Sequence, residues 1–307
     1  MPLPRVLKDS KTLQGIAWMI LAGFLFVGMT VIIRYLGSDI PAVEAAFIRY
    51  FIGSLIILPV VIRHWSGWPK MPIAKLYGLR GLVHGIGVIL WFYAMARIPI
   101  AEVTAIGYVA PIFVTIGAAI FLGERLQFRR IMGVVFGFIG ALVILRPGFQ
   151  EISLGQLAQL CAAPLFAVSF LLAKKLTATQ SSSLIVGMLS IGCTIVLLPG
   201  AIWQWRHPTL EEIFLLTVAA FIATAGHFAL TKAFQAAPIT LTQPLNFLQL
   251  VWAALLGMLL FDEALDPYVF AGAAIVIGAA TYISHREIQA SRRVSATTVK
   301  PTIPLDK

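Results

Sequence analysis

The sequence predicts an all-α membrane protein with ten transmembrane helices, arranged as two inverted five-helix repeats. Three features lead to this prediction: few charged residues, an alternating distribution of basic residues, and a phrase that occurs twice with opposite charge. Of the 307 residues, 59% are hydrophobic and only 12% are charged, whereas soluble domains carry about 25% charged residues. Because so few charges cannot cover a water-facing surface, we expect most of the surface to face lipid.

Ten apolar segments follow one another along the chain, separated by turn-forming Gly, Pro and Ser residues. A helix that crosses a bilayer needs about 20 mainly apolar residues. The predicted spans are 13–33, 43–62, 77–96, 101–122, 131–147, 154–173, 184–204, 213–234, 239–261 and 266–284. No small-residue cleavage site follows the first span, so we expect a retained helix rather than a cleaved signal.

Basic residues are concentrated in every second connection. If the N-terminus lies inside, cytoplasmic segments hold 18 of the 23 Lys and Arg residues, outer segments hold four, and Arg49 lies within the second span. Loops rich in Lys and Arg stay in the cytoplasm, which predicts that both termini are cytoplasmic. The basic residues form no patch, so we expect the lipid bilayer and no nucleic acid as a partner.

The twice-occurring phrase reads FLGERLQFRRIMG at 121–133 and LFDEALDPYVFAG at 260–272. Glu124 matches Glu263 at a separation of 139, but the arginines of the first copy are missing from the second. Further matches at 139 or 140 are Pro99 with Pro238, Gly15 with Gly155, Phe26 with Phe166 and Pro59 with Pro199. A repeat of five spans, an odd number, inserts its second copy the other way up; chance matching of apolar helices is the alternative.

The predicted domains follow from this repeat. They are a cytoplasmic tail at 1–12, a first repeat at 13–148, a second at 149–286, and a cytoplasmic tail at 287–307. Residues 91–148 resemble the EamA branch of the drug/metabolite transporter superfamily, through an apolar helix that ends in LGER and a Gly-rich helix that ends in ILRPG. Residues 228–283 resemble the same branch more loosely, with Asp262 where the first copy has Gly123.

This resemblance implies a bacterial inner-membrane carrier of small organic solutes, with a central cavity between the two halves. It implies no particular solute, because the family moves amino acids, nucleosides, cofactors, metallophores and drugs. Alternating access would rock the halves around a site near the midplane.

Polar residues deep in a span are candidates for the site, because burying them in a bilayer costs free energy. The ninth span is the richest and contains Gln243, Asn246, Gln249 and Trp252, with Pro244 interrupting its hydrogen bonding. These side chains are predicted to form a hydrogen-bonding wall for the solute. The alternative is hydrogen bonding between helices, worth about 1 kcal/mol per contact.

The third and fourth spans supply four more candidates, Trp91, Tyr93, Thr104 and Tyr108. Tyr108 lies deepest. Trp91 and Tyr93 lie near the outer end of their span, where aromatic side chains also serve as interfacial anchors.

Candidates for ion coupling or gating are His84, His227, Arg49 and Glu102. A histidine can relay protons near neutral pH, although a single histidine in a helix bundle is also a structural hydrogen-bonding group. Arg49 has Glu44 and Glu102 as candidate partners, so a structural ion pair is the alternative there.

Acidic residues are absent from the middle of every predicted span, which disfavours a carrier of cationic drugs. Amide, hydroxyl and aromatic groups suit a neutral or zwitterionic solute with a planar part. Together with the resemblance, this favours uptake of riboflavin; the alternative is export of an amino acid or related metabolite. An intramembrane enzyme is a remote alternative, since no HExxH, GxSG or intramembrane Asp pair occurs.

Neither a metal nor a cofactor is expected, since the two cysteines form no metal-ligand pattern. The spacing of Gly81 and Gly85 predicts close packing of helices. The same spacing does not decide whether the protein forms a homodimer, which is kept as an alternative to the monomer.

Overall fold

A computed structural model describes residues 10–63, 67, 69–110, 113, 128–146, 151–237, 248–264, 266–278 and 281–282. Over these residues the protein is helical and contains no strand. The helices are α1 (Ser10–Leu36), α2 (Ala42–Arg63), α3 (Met71–Met95), α4 (Ile100–Gly107), α5 (Phe128–Leu145), α6 (Leu154–Leu176), α7 (Ser182–Trp203), α8 (Leu210–Ala236), α9 (Leu248–Phe261) and α10 (Pro267–Gly278).

Six of these helices, α1, α2, α3, α6, α7 and α8, are long and apolar enough to cross a membrane. The remaining four overlap the fourth, fifth, ninth and tenth predicted spans. Since all four of those spans include residues outside the described ranges, the total of ten spans stays a prediction.

Side-chain caps begin several of the long helices. Ser153 accepts a hydrogen bond from the backbone N–H of Gln156, whose side chain bonds back to the Ser153 N–H. Thr209 and Glu212 form the same reciprocal pair at the start of α8. Each pair satisfies two backbone donors that have no partner inside the helix, so the chain can enter a span without burying free N–H groups.

The most extensive contacts between helices pair α1 with α8, α3 with α6 and α2 with α7. Each pair joins a helix of the first 148 residues to one of the later residues. Large apolar side chains such as Phe24, Ile195 and Phe214 are exposed on the outside of the bundle. An apolar exterior around a packed interior is what a lipid environment requires.

The expected close packing around Gly81 is confirmed. Gly81 of α3 faces Gly192 of α7, and a Cβ atom on Gly81 would lie 2.9 Å from the Gly192 Cα. One turn later, a Cβ on Gly85 would lie 3.0 Å from the side chain of Val196. The two helix backbones therefore touch along this line with no room for a side chain.

Candidate functional site

A cavity of about 210 Å³ lies between α1, α2, α3, α4, α6, α8 and α9. It is lined by both halves of the chain. The lining residues are Phe26, Met29, Thr30, Arg49, Tyr50, His84, Val88, Trp91, Phe92, Met95, Val103, Thr104, Gly107, Tyr108, Ala110, Gln159, Phe166, Phe170, His227, Leu230 and Gln249.

Many lining residues are related by the spacing of the sequence repeat. Pairs separated by 139 or 140 positions are Phe26 with Phe166, Thr30 with Phe170, Val88 with His227, Trp91 with Leu230, and Ala110 with Gln249. Equivalent positions of the two halves thus face the same space.

Aromatic rings form much of the wall. The ring centroids of Phe26 and His227 are 5.0 Å apart, and those of His84 and Phe166 are 5.1 Å apart, both edge to face. Trp91 and Phe92 contact each other at 5.4 Å. Such a wall suits a flat apolar or heteroaromatic group, because aromatic pairs gain energy from offset and edge-to-face contact.

His84 connects three helices on the cavity wall. Its Nδ1 lies 2.9 Å from Ser169 Oγ of α6, and its Nε2 lies 3.0 Å from the Tyr50 hydroxyl of α2. A neutral imidazole donates from one nitrogen and accepts at the other, so the two hydroxyls hold the ring in a fixed orientation. The His227 ring lies 5.3 Å away, between centroids.

Three buried lining residues retain polar atoms without a hydrogen-bond partner among the described residues: Arg49 Nε, Gln159 Oε1 and His227 Nδ1. Their exposed fractions are 3%, 3% and 7%. Unpaired buried polar atoms are costly and rare in folded proteins. Residues of the cavity wall therefore carry an unused donor on Arg49, an unused acceptor on Gln159, and on His227 an atom that does either according to its tautomer.

The charge of the wall is positive or neutral. Arg49 is a lining cation, and no Asp or Glu occurs among the described lining residues. The described ranges also contain no group of His, Cys, Asp and Glu that could hold a metal ion. The arrangement thus favours a neutral solute, or one with an acidic part, over a net cation.

The cavity brings together seven residues that the sequence predicted as site, coupling or gating residues. They are Trp91, Thr104, Tyr108 and Gln249, with His84, His227 and Arg49. Gln249 packs beside α1, since a Cβ on Gly23 would lie 3.4 Å from its Cγ. The predicted residues Gln243 and Asn246 lie outside the described residues.

Three predicted residues lie elsewhere. The ring of Tyr93 lies 3.7 Å beneath the Arg97 guanidinium and lines a second pocket near the ends of α1 to α3. Trp252 is 40% exposed, and its ring lies 5.2 Å from that of Phe24 on the outside of the bundle.

Glu102 is the third, and its Oε1 accepts a hydrogen bond of 2.5 Å from Gln156 Nε2.

Arg49 does not use the partners expected for it. Glu44 accepts from the backbone N–H of Arg206, and the Arg49 guanidinium carbon lies 3.9 Å above the Tyr50 ring.

Sequence reasoning missed Gln159, Tyr50, Ser169 and Phe166 as contributors to the site. Phe166 had a usable signal, because it repeats Phe26 at a separation of 140. Gln159 and Ser169 are polar residues inside the sixth predicted span, so the cost of burying a polar side chain in a bilayer was a usable signal for both.

Comparison with known proteins adds the family. The model of the EamA-like transporter family matches residues 13–146 and again 153–285. A solved crystal structure has a similar fold, with a TM-score of 0.60, 18% sequence identity, and coverage of 89% of this chain and 98% of the other.

Three relatives have named activities. An S-adenosylmethionine uptake transporter of Rickettsia bellii is 30% identical over 90% of this chain and 95% of its own length. A riboflavin transporter of Vibrio cholerae is 31% identical over 92% and 96%, and a pseudopaline exporter of Pseudomonas aeruginosa is 26% identical over 88% and 96%. With six helices able to span a membrane and a family model that matches most of its length twice, this chain is a multi-pass transporter of a small metabolite and belongs to the EamA-like transporter family.

Proposed function

We propose that this protein takes up riboflavin across the bacterial inner membrane by alternating access. The observation that carries this proposal is a set of three buried polar atoms that have no hydrogen-bond partner among the described residues. They belong to Arg49, Gln159 and His227, which line an aromatic cavity. The riboflavin ring system is flat, and its pyrimidine edge carries an N–H between two carbonyl groups. A donor, an acceptor and an adaptable third group complement that edge.

Each residue has a role in this proposal. The Arg49 Nε–H donates to a ring carbonyl, and Gln159 Oε1 accepts from the ring N–H. The rings of Trp91 and Phe166 contact the faces and edges of the flavin. Gln249 and Thr104 bind the ribityl hydroxyls, because amide and hydroxyl side chains can both donate to and accept from a hydroxyl group.

S-adenosylmethionine is the second candidate, because several relatives of about 30% identity carry that activity. Its sulfonium group is a permanent cation. A carrier would be expected to balance that charge with a carboxylate, and the described lining contains Arg49 and no carboxylate. The charge of the cavity therefore favours the neutral flavin.

Alternating access is supported by the repeat-related lining pairs and by the pairing of α1 with α8 and α3 with α6. When the first half is mapped onto the second, α1 takes the place of α6 and α3 takes the place of α8. The α1–α8 contact and the α3–α6 contact are therefore equivalent. We place the repeats at 13–148 and 149–286, with ten spans and cytoplasmic termini. By the same spacing Thr104 and Gly107 correspond to Gln243 and Asn246, so we propose that these two also face the solute.

The test is uptake in a bacterium that cannot make riboflavin. Cells that express the chain should grow at low external riboflavin and accumulate labelled riboflavin, and unlabelled S-adenosylmethionine should not compete. Failure to rescue growth, despite protein shown to be in the membrane, would exclude riboflavin uptake. Competition by S-adenosylmethionine, with accumulation of labelled S-adenosylmethionine, would favour the second candidate.

A further inference from the structure

An ion pair between Arg34 and Glu263 joins the two halves of the chain at one end of the cavity. Arg34 Nε lies 2.8 Å from Glu263 Oε1, and Arg34 Nη1 donates to the Met95 carbonyl at 3.1 Å. Glu263 Oε2 accepts a hydrogen bond of 2.8 Å from the backbone N–H of Ile100. One carboxylate, at the connection of α9 and α10, thus holds the last turn of α1 and the first residue of α4.

These contacts lie directly beyond the cavity. Thr30 lines it, and Arg34 follows one turn later on the same face of α1. Thr104 also lines it and donates to the Ile100 carbonyl one turn earlier on α4. Met95 is itself a lining residue, so the ion pair covers the end of the cavity where α1 and α3 end and α4 begins.

The pair is well shielded from solvent. The exposed fraction is 8% for the Glu263 side chain and 21% for that of Arg34. A Cβ on Gly257 would lie 2.5 Å from Glu263 Oε2, so the carboxylate is packed against the end of α9. Removing one member of such a pair leaves the other charge partly buried and uncompensated, which costs more than breaking a pair at the surface.

The repeat places a related contact on the second half. Lys174 Nζ donates to the Phe234 carbonyl at 2.6 Å, and these two residues follow Arg34 and Met95 by 140 and 139 positions. In each half, a basic side chain on the first long helix therefore donates a hydrogen bond to a carbonyl at the end of a neighbouring helix. Inverted insertion would put these two hydrogen bonds at opposite membrane faces.

We propose that Arg34 and Glu263 form the outer gate of the transporter. The ion pair, with the Met95 and Ile100 backbone contacts, closes the external end of the cavity. It separates when the halves rock to admit solute from outside. The gate depends on the orientation proposed above, but not on the identity of the solute.

The test measures access to the cavity from outside. Thr104→Cys serves as a reporter in a Cys161→Ser background, because Cys161 is exposed and Cys193 is buried. Intact cells are labelled with a membrane-impermeant maleimide, and the background protein without the reporter is the blank. Arg34→Gln and Glu263→Gln should each raise the labelling rate by about threefold or more, since loss of the pair shifts the population toward the outward-open state.

Two control variants separate gating from general damage. Arg34→Lys keeps the positive charge, as Lys174 does at the related position. This variant should be labelled at close to the rate of the parent protein, which carries only Thr104→Cys and Cys161→Ser. Glu212→Gln breaks the ion pair of Glu212 with Arg206, which lies within the second half, and should also leave the rate unchanged. Parent-like labelling in both Arg34→Gln and Glu263→Gln, or an equal rise in Glu212→Gln, would overturn the proposal.

Discussion

Arg49 and Arg97 each lie over the ring of a tyrosine close by in the sequence, but in opposite surroundings. The guanidinium carbon is 3.9 Å from the Tyr50 ring centroid for Arg49 and 3.7 Å from that of Tyr93 for Arg97. Arg49 is buried on the cavity wall, and its Nε has no hydrogen-bond partner in the described part of the chain, whereas Arg97 is exposed. A buried cation gains most from a further hydrogen-bond acceptor, which a bound solute would supply.

We therefore expect Arg49→Lys to raise the half-saturation concentration for riboflavin uptake by about tenfold, the effect of one lost hydrogen bond to a charged group. The charge remains, but a lysine ammonium cannot keep the planar geometry of Nε. Arg97→Lys is the matched control and should leave uptake unchanged. Concentration-dependent uptake of labelled riboflavin measures both, and an unaltered half-saturation in Arg49→Lys would remove this residue from the site.

Polar residues near the middle of a span were predictable from the sequence, and Gln249, Tyr108 and Thr104 do line the cavity. The bilayer makes such residues costly, so their presence is informative. Trp252 shows the limit of this reasoning. Trp252 follows Gln249 by slightly less than one helical turn, so the two side chains do not point in the same direction. The Trp252 ring packs against Phe24 on the outside of the bundle.

At the scale of helices, contact between Gly81 and Gly192 determines how closely α3 and α7 approach. A Cβ on Gly81 would meet the Cα and carbonyl carbon of Gly192 at 2.9 and 3.1 Å. These are backbone atoms, so the clash cannot be relieved by a change of rotamer. Gly78 lies on the same helix, one turn earlier, and no described residue outside its own helix turn lies within 4 Å of the corresponding Cβ position.

We expect Gly81→Ala to lower the free energy of unfolding by about 1–3 kcal/mol, because the two helices must move apart. Gly78→Ala should leave it unchanged or raise it by up to about 1 kcal/mol, since alanine favours the helix. Thermal unfolding of both variants in detergent would measure the difference. Equal stability of the two would show that the helices separate at no cost.

The long helices could be predicted closely because hydrophobicity and turn residues both mark their ends. Predicted span 154–173 corresponds to α6 (Leu154–Leu176), and 43–62 to α2 (Ala42–Arg63). The depth of individual side chains could not. Arg80 of α3 is an example, because its charge gives no sign that its side chain is buried. The Arg80 guanidinium donates to the Ile185 carbonyl of α7 at 2.9 Å.

For the whole molecule, the repeat carries information that no single helix carries. The pairing of α1 with α8 and of α3 with α6 is one contact seen twice, and it follows from duplication because equivalent helices pack equivalently. Solute identity does not follow from duplication. It depends on a few side chains such as Gln159 and His227, which the repeat pairs with apolar residues, so symmetry cannot predict them.

The orientation of the whole bundle rests on the distribution of basic residues, and labelling of two exposed connections can test it. His207 lies between α7 and α8, and Ala178 lies between α6 and α7. Loop charges predict His207 outside and Ala178 inside. In a Cys161→Ser background, we expect His207→Cys to react with an impermeant maleimide on intact cells. Ala178→Cys should react only after the membrane is permeabilised.

Each variant is the control for the other, because both connections are exposed and differ only in the face they occupy. Labelling of Ala178→Cys on intact cells, with His207→Cys protected, would reverse the orientation and make Arg34 and Glu263 an inner gate. Labelling of both on intact cells would require an even number of spans between the two connections. That result would contradict α7 as a single crossing, and with it the inverted arrangement of the two repeats.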